Sequence, residues 1–372
     1  MRGYLRESFL QPVATEVLFA YIYLQPVSTV PRRVLFMKST PTTISDIAER
    51  AKVSKSTVSR VLNDKSVVNK QTRRTVLEAM ESLGYQANVF ARGLASGRSM
   101  TVGVVTQKIG SPFFDMMMQG VIQGFSGTGY SPIFVDGQME DVTEYKVIQT
   151  LLGRKVDGLL LLGGDLSHLD LNDLRNRIPT IVVGKEVPGW DDQCVYVDNV
   201  RGAYDATKHL IDFGHRDIAI IRGILHHQDA IRRFEGYSQA LAEAGIELDP
   251  ELVLEGNFTA QSGILAINSL LMRGKSFSAV FCANDMVAYG ARLTLQRKGI
   301  RVPEDVSLVG FDDQAESAFV TPPLTTVRQP GAEMGAAAAS ALVSMMEGKP
   351  FELPVLRAEL QRRESVSKIR MS

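Results

Sequence analysis

Apolar positions along the chain change period once, and the change divides it. Between residues 42 and 84 they recur at helical spacing. Ile44, Ile47, Ala48 and Ala51 fall on one helical face, and Thr43 with Asp46 three residues later forms a capping-box pattern ahead of them. After the short turn Lys52-Val53, Ser54 caps a second helix whose buried face includes Val58, Val61 and Leu62. A third helix is expected over 70–83, capped by Asn69, with Val76, Leu77 and Met80 inward and Gly84 as its stop. Three helices this short give a small core that is stable only if compact.

From residue 102 the pattern becomes short apolar runs separated by amphipathic stretches. The runs are 102–105 (VGVV), 132–135, 158–162 and 180–183, and then 218–221 (IAII), 253–255, 279–282 (AVFC) and 307–309. Buried runs of this length alternating with helical segments predict parallel sheets built from βαβ units. The two series predict two doubly wound lobes, with a last strand-like stretch over 353–360. The expected fold is therefore a small all-α helix-turn-helix domain plus an α/β domain of two doubly wound parallel-sheet lobes. The expected divisions are an extension at 1–36, the helical domain at 37–86 and a hinge and linker at 87–99. The two-lobed domain follows at 100–372, its first lobe about 100–197 and 329–352, its second about 198–328 and 353–366. Ligands of such sheets bind beyond the carboxyl ends of the strands, so a cleft between facing lobes is the expected site.

Charge sharpens this division. The 372 residues balance to zero net charge, yet 11 Lys or Arg face 5 Asp or Glu between Lys38 and Arg98, leaving 30 basic against 36 acidic elsewhere. A basic module on an acidic body suits a phosphate-facing head. Cys194 and Cys282 have no metal-ligand spacing and make no disulfide framework, which fits reduced thiols in a cytosolic chain. His226, His227 and Asp229 lack a third or fourth convergent ligand for a metal. No P-loop, no GxGxxG run after a first strand and no nucleophile–His–acid set is present, so enzyme chemistry and cofactors are not expected. The apolar run 13–24 is too short to span a bilayer and contains Glu16. Gln25-Pro26-Val27-Ser28 is a poor cleavage site, so a cytoplasmic location is expected. Translation is expected to start at Met37, with 1–36 dispensable.

On the second helix, Lys55, Ser56 and Arg60 are placed to reach base edges, while Ser54, Thr57 and Ser59 are short donors suited to phosphate oxygens. Here a resemblance becomes specific. ISDIAERAKVSKSTVSRVLN, through Asn63, followed by NKQTRRTVLEAMESLGYQANVFARGLASGRS, resembles the head and hinge of the lactose-repressor family. The similarity continues through IGSPFFDMMMQGV, YVDNVRGAYDATKHLIDFGHRDIAII, RRFEGYSQALAEAGI, FCANDMVAYGA, VPEDVSLVGFDD and PPLTTVRQP, covering about residues 42–366. It implies a transcription regulator, more often repressor than activator, whose second domain is periplasmic-binding-protein-like. It further implies a hinge helix capped by Asn88, with Ala91 and Leu94 on one face and Leu94 wedged into the minor groove of operator DNA. By itself Leu94 also reads as a lone apolar residue in a linker.

The resemblance places ligand positions at Phe113, Phe114, Arg233, Phe258, Asn284, Asp312 and Gln329. Aromatic faces suit the C–H faces of a sugar ring, and the polar groups suit its hydroxyls; a nucleoside is the alternative ligand. Phe114 also reads as core, and Asn284 and Asp312 as loop caps. Gly184-Lys185 departs from the family's usual Asp-Arg. His215 is assigned to a helix-to-strand turn, and Met116 to Met118 to core filling. The expected partners are double-stranded operator DNA, a small-molecule effector, most simply a sugar, and a second copy of the chain in a homodimer. Residues 361–372 are too short and polar for a tetramerising heptad tail. The competing reading, a periplasmic sugar-binding protein, leaves residues 42–94 without a role.

Overall fold

The computed structural model describes residues 42–62, 68–85, 98–164, 166–167 and 169–369. The expectations placed on 1–36, Asn63, Asn88, Ala91 and Leu94 lie outside them. The chain divides into two compact units, Met1–Ala87 and Asn88–Ser372.

In the first unit, α1 (Ile44–Arg50), α2 (Lys55–Leu62) and α3 (Lys70–Ser82) enclose one core of Ile47, Ala48, Val58, Val61, Val76 and their neighbours. The capping box at Thr43 is closed in both directions, and Asn69 accepts from Thr72 N at 2.7 Å to start α3. Lys52 takes the left-handed conformation, φ 51, between α1 and α2. This lets Val53 N return to Ala48 O at 2.9 Å, so the second helix departs at once. One expectation fails: Leu77 is 49% exposed, and Val76 and Ala79 fill the inner face instead. The three-residue step from Val76 to Ala79 sets the buried stripe, and Leu77 lies about 100° away from Val76.

The second unit contains two sheets. The first comprises β1 (Thr101–Thr106), β2 (Ser131–Asp136), β3 (Gly158–Leu162), β4 (Thr180–Val183) and β5 (Cys194–Val195), in order β2-β1-β3-β4-β5 and parallel throughout. The helices α4 (Pro112–Phe125), α5 (Asp141–Gly153) and α6 (Leu171–Arg177) are interleaved with them. After β5 the chain crosses to α7 (Asn199–Asp212), β6 (Ile218–Ile221), α8 (Gln228–Glu243), β7 (Val253–Leu254), α9 (Ala260–Arg273), β8 (Ala279–Cys282), α10 (Asp285–Arg297), β9 (Ser307–Asp312) and β10 (Thr325–Arg328). It then returns to α11 (Gly331–Met346), which packs on α4, and crosses again to β11 (Glu359–Gln361). The second sheet runs β11-β10-β9-β8-β6-β7. Apolar clusters lie on both faces of each sheet, which is why the strands read as unbroken apolar runs. Gly120 and Gly335 set the α4–α11 approach: a Cβ on either would lie inside van der Waals contact of the facing backbone carbonyl, Ala332 O or Met117 O.

Two departures from the sequence reading follow from the crossings. Residues 353–358 are not strand; only Glu359–Gln361 pairs, and it pairs antiparallel to β10, so the second sheet is not purely parallel. Pro350 and Pro354 each lack a ladder donor in the segment that carries the chain between lobes. The short strands β5 and β10 were not foreseen. β5 has two residues, and Thr325 and Thr326 of β10 are buried polar residues in no apolar run.

Candidate functional site

On α2 the side chains of Lys55, Ser56 and Arg60 are exposed, with Ser56 and Arg60 one turn apart. Ser54 is the hub of a hydroxyl cluster: its Oγ accepts from Thr57 N at 3.1 Å and lies 2.8 Å from both Ser56 Oγ and Thr57 Oγ1. Thr57 and Ser59 are half-buried. Lys55 and Arg60 therefore present exposed charged ends, while the hydroxyls of Ser54, Ser56 and Thr57 bond to one another at the helix start.

In the second unit, loops at the carboxyl ends of strands from both sheets converge on one cavity. Phe113 and Phe114 enter at the start of α4 after β1. Arg233 comes from α8, Phe258 follows β7, Asn284 follows β8 and Asp312 ends β9. Gln329 does not line the cavity. It stands behind Asp312, donating from Nε2 to Asp312 Oδ1 at 2.7 Å. Arg233 is buried and fixed on every side. Its Nε donates to Asn199 Oδ1 at 2.8 Å and one terminal nitrogen to Ala283 O at 2.5 Å, with Asp312 Oδ1 at 3.6 Å. Its guanidinium stacks 3.8 Å from the Phe311 ring centre. Burial pushes the Asp312 carboxyl up to about 6, against the opposing pull of the Arg233 charge. Asn284 spends its side chain locally, capping α10 through Val287 N at 3.0 Å and donating to Phe258 O at 3.2 Å. Phe114 is also part of the first lobe's core. Phe258 and Asp312 both hold left-handed backbone, φ 63 and 106, a conformation that costs about 1–3 kcal/mol and clusters at functional sites.

Sequence reasoning missed Ser111 and Met139 in the same wall, and Gln107 and Glu144 in the space beside it, where Gln107 Nε2 donates to Glu144 Oε1 at 2.8 Å. Glu144 sits in an otherwise ordinary amphipathic helix, and nothing local marks it. Among the weighed candidates, His227 and Asp229 both reach the cavity. Burial holds the His227 imidazole below its usual pKa, and neither ring nitrogen has a hydrogen-bond partner; Asp229 Oδ2 is 3.9 Å from Nδ1. No group of metal-ligating side chains occurs among the described residues. His215 bridges Ser278 Oγ and Ser367 O, and Met117 is fully buried in the first lobe's core.

Residues 43–88 match the profile of bacterial regulatory proteins of the lacI family, and residues 207–366 that of a periplasmic binding protein-like domain. The chain is 38% identical over 328 residues to the HTH-type transcriptional regulator GalR of Escherichia coli (strain K12), a match covering 87% of this chain and 96% of that relative. This chain belongs to the LacI family. The fold agrees. The lac repressor dimer bound to operator and the anti-inducer ONPF superposes with a TM-score of 0.79 at 27% identity, covering 88% of this chain and 99% of that one. The complex of the transcriptional regulator CelR with cellobiose is 34% identical, with a TM-score of 0.64 and coverage of 87% and 99%. As a LacI-family member the chain is a DNA-binding transcription regulator with a ligand-binding domain, and its relatives are regulators rather than enzymes. Among the described residues no helix is long and apolar enough to cross a membrane.

Proposed function

We propose that this LacI-family chain is a repressor that binds operator DNA as a homodimer and releases or tightens it when a small polyhydroxylated ligand, a sugar or sugar derivative, enters the cleft between the lobes. The observation that carries this is the convergence of Phe113 and Phe114 from one lobe with Arg233, Phe258 and Asp312 from the other on one cavity. A sugar ring offers C–H faces to the phenyl rings and hydroxyls to Asp312, Asp229 and the unpartnered nitrogens of His227. The name of the cellobiose-bound relative supports the ligand class. Coupling to DNA has a physical route. The segment entering the first lobe is tied down by Asp157, which accepts from Ser99 N at 2.8 Å and Met100 N at 2.7 Å, and Arg98 reaches Met346 O at 3.0 Å. A lobe movement therefore moves the end of the 87–99 linker, and effector and operator become thermodynamically linked.

The test begins with an operator selected from random DNA. Arg60→Ala is expected to weaken binding to it by about 1–3 kcal/mol while sparing most binding to random sequence at the same salt, measured by fluorescence anisotropy. Equal losses on both DNAs would contradict base readout by Arg60. For Leu94, the proposed minor-groove wedge, Leu94→Ala should reduce both operator affinity and operator bending in a gel-phasing assay. Unchanged bending would remove the wedge. A thermal-shift screen of sugars and nucleosides, repeated on operator-bound protein, tests the ligand class; a nucleoside hit without a sugar hit would overturn it.

A further inference from the structure

We propose that Asn199 and Gln329 are positioning residues that tie two of the crossings between the lobes to the charged pair in the cleft, so that whatever engages that pair resets both hinges. This rests on the cleft reading above and deepens it with a mechanical link. The first crossing leaves the core of the first lobe at Val197 and enters that of the second at Ala203. Asn199 lies between them, at the start of α7. The return crossing leaves the second lobe's core at Val327 and reaches the first lobe's at Met334, and Gln329 lies between these. Both amides are buried, and each holds one member of the same ion pair. Asn199 Oδ1 accepts from Arg233 Nε at 2.8 Å, and Gln329 Nε2 donates to Asp312 Oδ1 at 2.7 Å. Arg233 and Asp312 close the gap at 3.6 Å. One buried polar chain, Asn199–Arg233–Asp312–Gln329, therefore runs from one hinge to the other, with its two middle members in the cavity wall.

Arg233 and Asp312 line the cavity; Asn199 and Gln329 do not, so they meet a ligand there only through the residues they hold. The tie at each end is double. Asn199 Nδ2 also donates to Asp229 Oδ1 at 3.3 Å, a second cavity residue, and Gln329 N also donates to Asp312 O at 3.4 Å. Arg233 and Gln329 converge on a single oxygen, Asp312 Oδ1. A ligand hydroxyl that bonds this oxygen competes with both at once, and a ligand that draws Arg233 inward pulls on Asn199. At this depth a crossing must follow its partner or leave a buried polar group unpaired. Asn199 begins a helix and Gln329 follows a strand, the element-terminal places at which hinge motion is absorbed.

Hydrogen exchange on the full chain, with no ligand added, is the first test. Asn199→Ala is expected to speed amide exchange at 328–331 as well as at its own crossing, and Gln329→Ala to speed it at 199–202 as well as at its own. Gln329→Met keeps the bulk and removes the donor. It is expected to behave like Gln329→Ala, and it serves where the alanine variant does not fold. Exchange that quickens only at the substituted crossing, or unaltered exchange in Gln329→Met, overturns the proposal. The second test is a double-mutant cycle on the response to sugar. Operator affinity is measured by fluorescence anisotropy with and without glucose, galactose, ribose or cellobiose, for each that binds in calorimetry. Each single variant is expected to shrink the sugar-induced change in operator affinity by about five-fold or more. The double variant is expected to lose no more than either single one, because either break opens the same chain. Losses that add across the cycle describe two independent defects and overturn the link. The two readings fail separately. If none of these sugars binds, the sugar cleft falls, and the exchange experiment still decides the link. If a sugar binds and the exchange stays local, the cleft stands without it.

Discussion

Arg233→Ala is expected to abolish measurable effector binding and to destabilise the ligand-binding unit by about 3–5 kcal/mol, the usual cost of breaking a buried ion pair from one side. Among the described residues of the cavity wall the guanidinium is the one cation beside the buried Asp312, and it contacts both Phe311 and Asn199. Without it Asp312 retains Gln329 as a partner but loses the charge that opposes its desolvation, so its carboxyl is pushed further above the usual carboxylate range. Binding is thus lost twice, through the missing donor and through the altered acceptor. Arg233→Lys keeps a charge but not the planar fork that meets Asn199, Ala283 and Asp312 together, and should recover stability more than affinity. Calorimetry with a ligand found in the sugar screen, alongside urea unfolding, separates the two effects. Full affinity in the alanine variant would show that the cleft is not the effector site.

The second large effect is expected at Asp285, which takes no part in the cavity. It opens α10 fully buried and accepts three hydrogen bonds, from Gln314 N at 2.8 Å, Ser317 Oγ at 2.7 Å and Thr326 Oγ1 at 2.5 Å. It therefore clamps the loop after β9 and strand β10 to the helix. Asp285→Ala leaves Gln314 N and Thr326 Oγ1 without this acceptor and Ser317 Oγ with Tyr289 OH as its remaining partner, and should cost about 3–5 kcal/mol. Burial, with the nearby Asp312 charge, pushes the Asp285 carboxyl up to about 7 despite those bonds. A carboxyl raised in the folded state favours folding most at low pH, and that contribution is lost as pH rises through the folded value. The Asp285 contribution should thus decline between about pH 4 and 7, by about 1.4 kcal/mol per pH unit for one proton, and level off above. Asp285→Asn keeps the shape and removes the titration. Its urea-unfolding stability should fall less steeply over that interval, leaving only the contribution of Asp312, which ends near pH 6. An unchanged slope would show that Asp285 is ionised throughout.

How much of this was legible depended on whether the signal was local. Helix starts were: Thr43 with Asp46, and Asn69 before α3, close their bonds within three residues, so spacing alone identifies them. Buried strands such as Gly158–Leu162 and Ala279–Cys282 were legible because burial on both faces demands unbroken apolar runs. The cavity residues Phe113, Arg233, Phe258 and Asp312 came from resemblance, since nothing in their immediate sequence distinguishes them from core or capping residues. What only the tertiary structure decided was which distant loops share a wall. Glu144 and Gln107 lie 37 residues apart, and Asp285 and Thr326 lie 41 apart. Each pair is made by sheet order rather than by pattern, as is the role of Gln329 in holding Asp312 from behind. Leu77 was misplaced because a helical stripe is wide enough to admit it, and only the packing of three helices picks which edge is buried. The sequence by itself therefore determined most of the helices, the longer buried strands and the two-lobed plan, because each is written in contiguous spacing. The depth of the cleft and its charge balance were decided by the crossings that bring separate strand ends together.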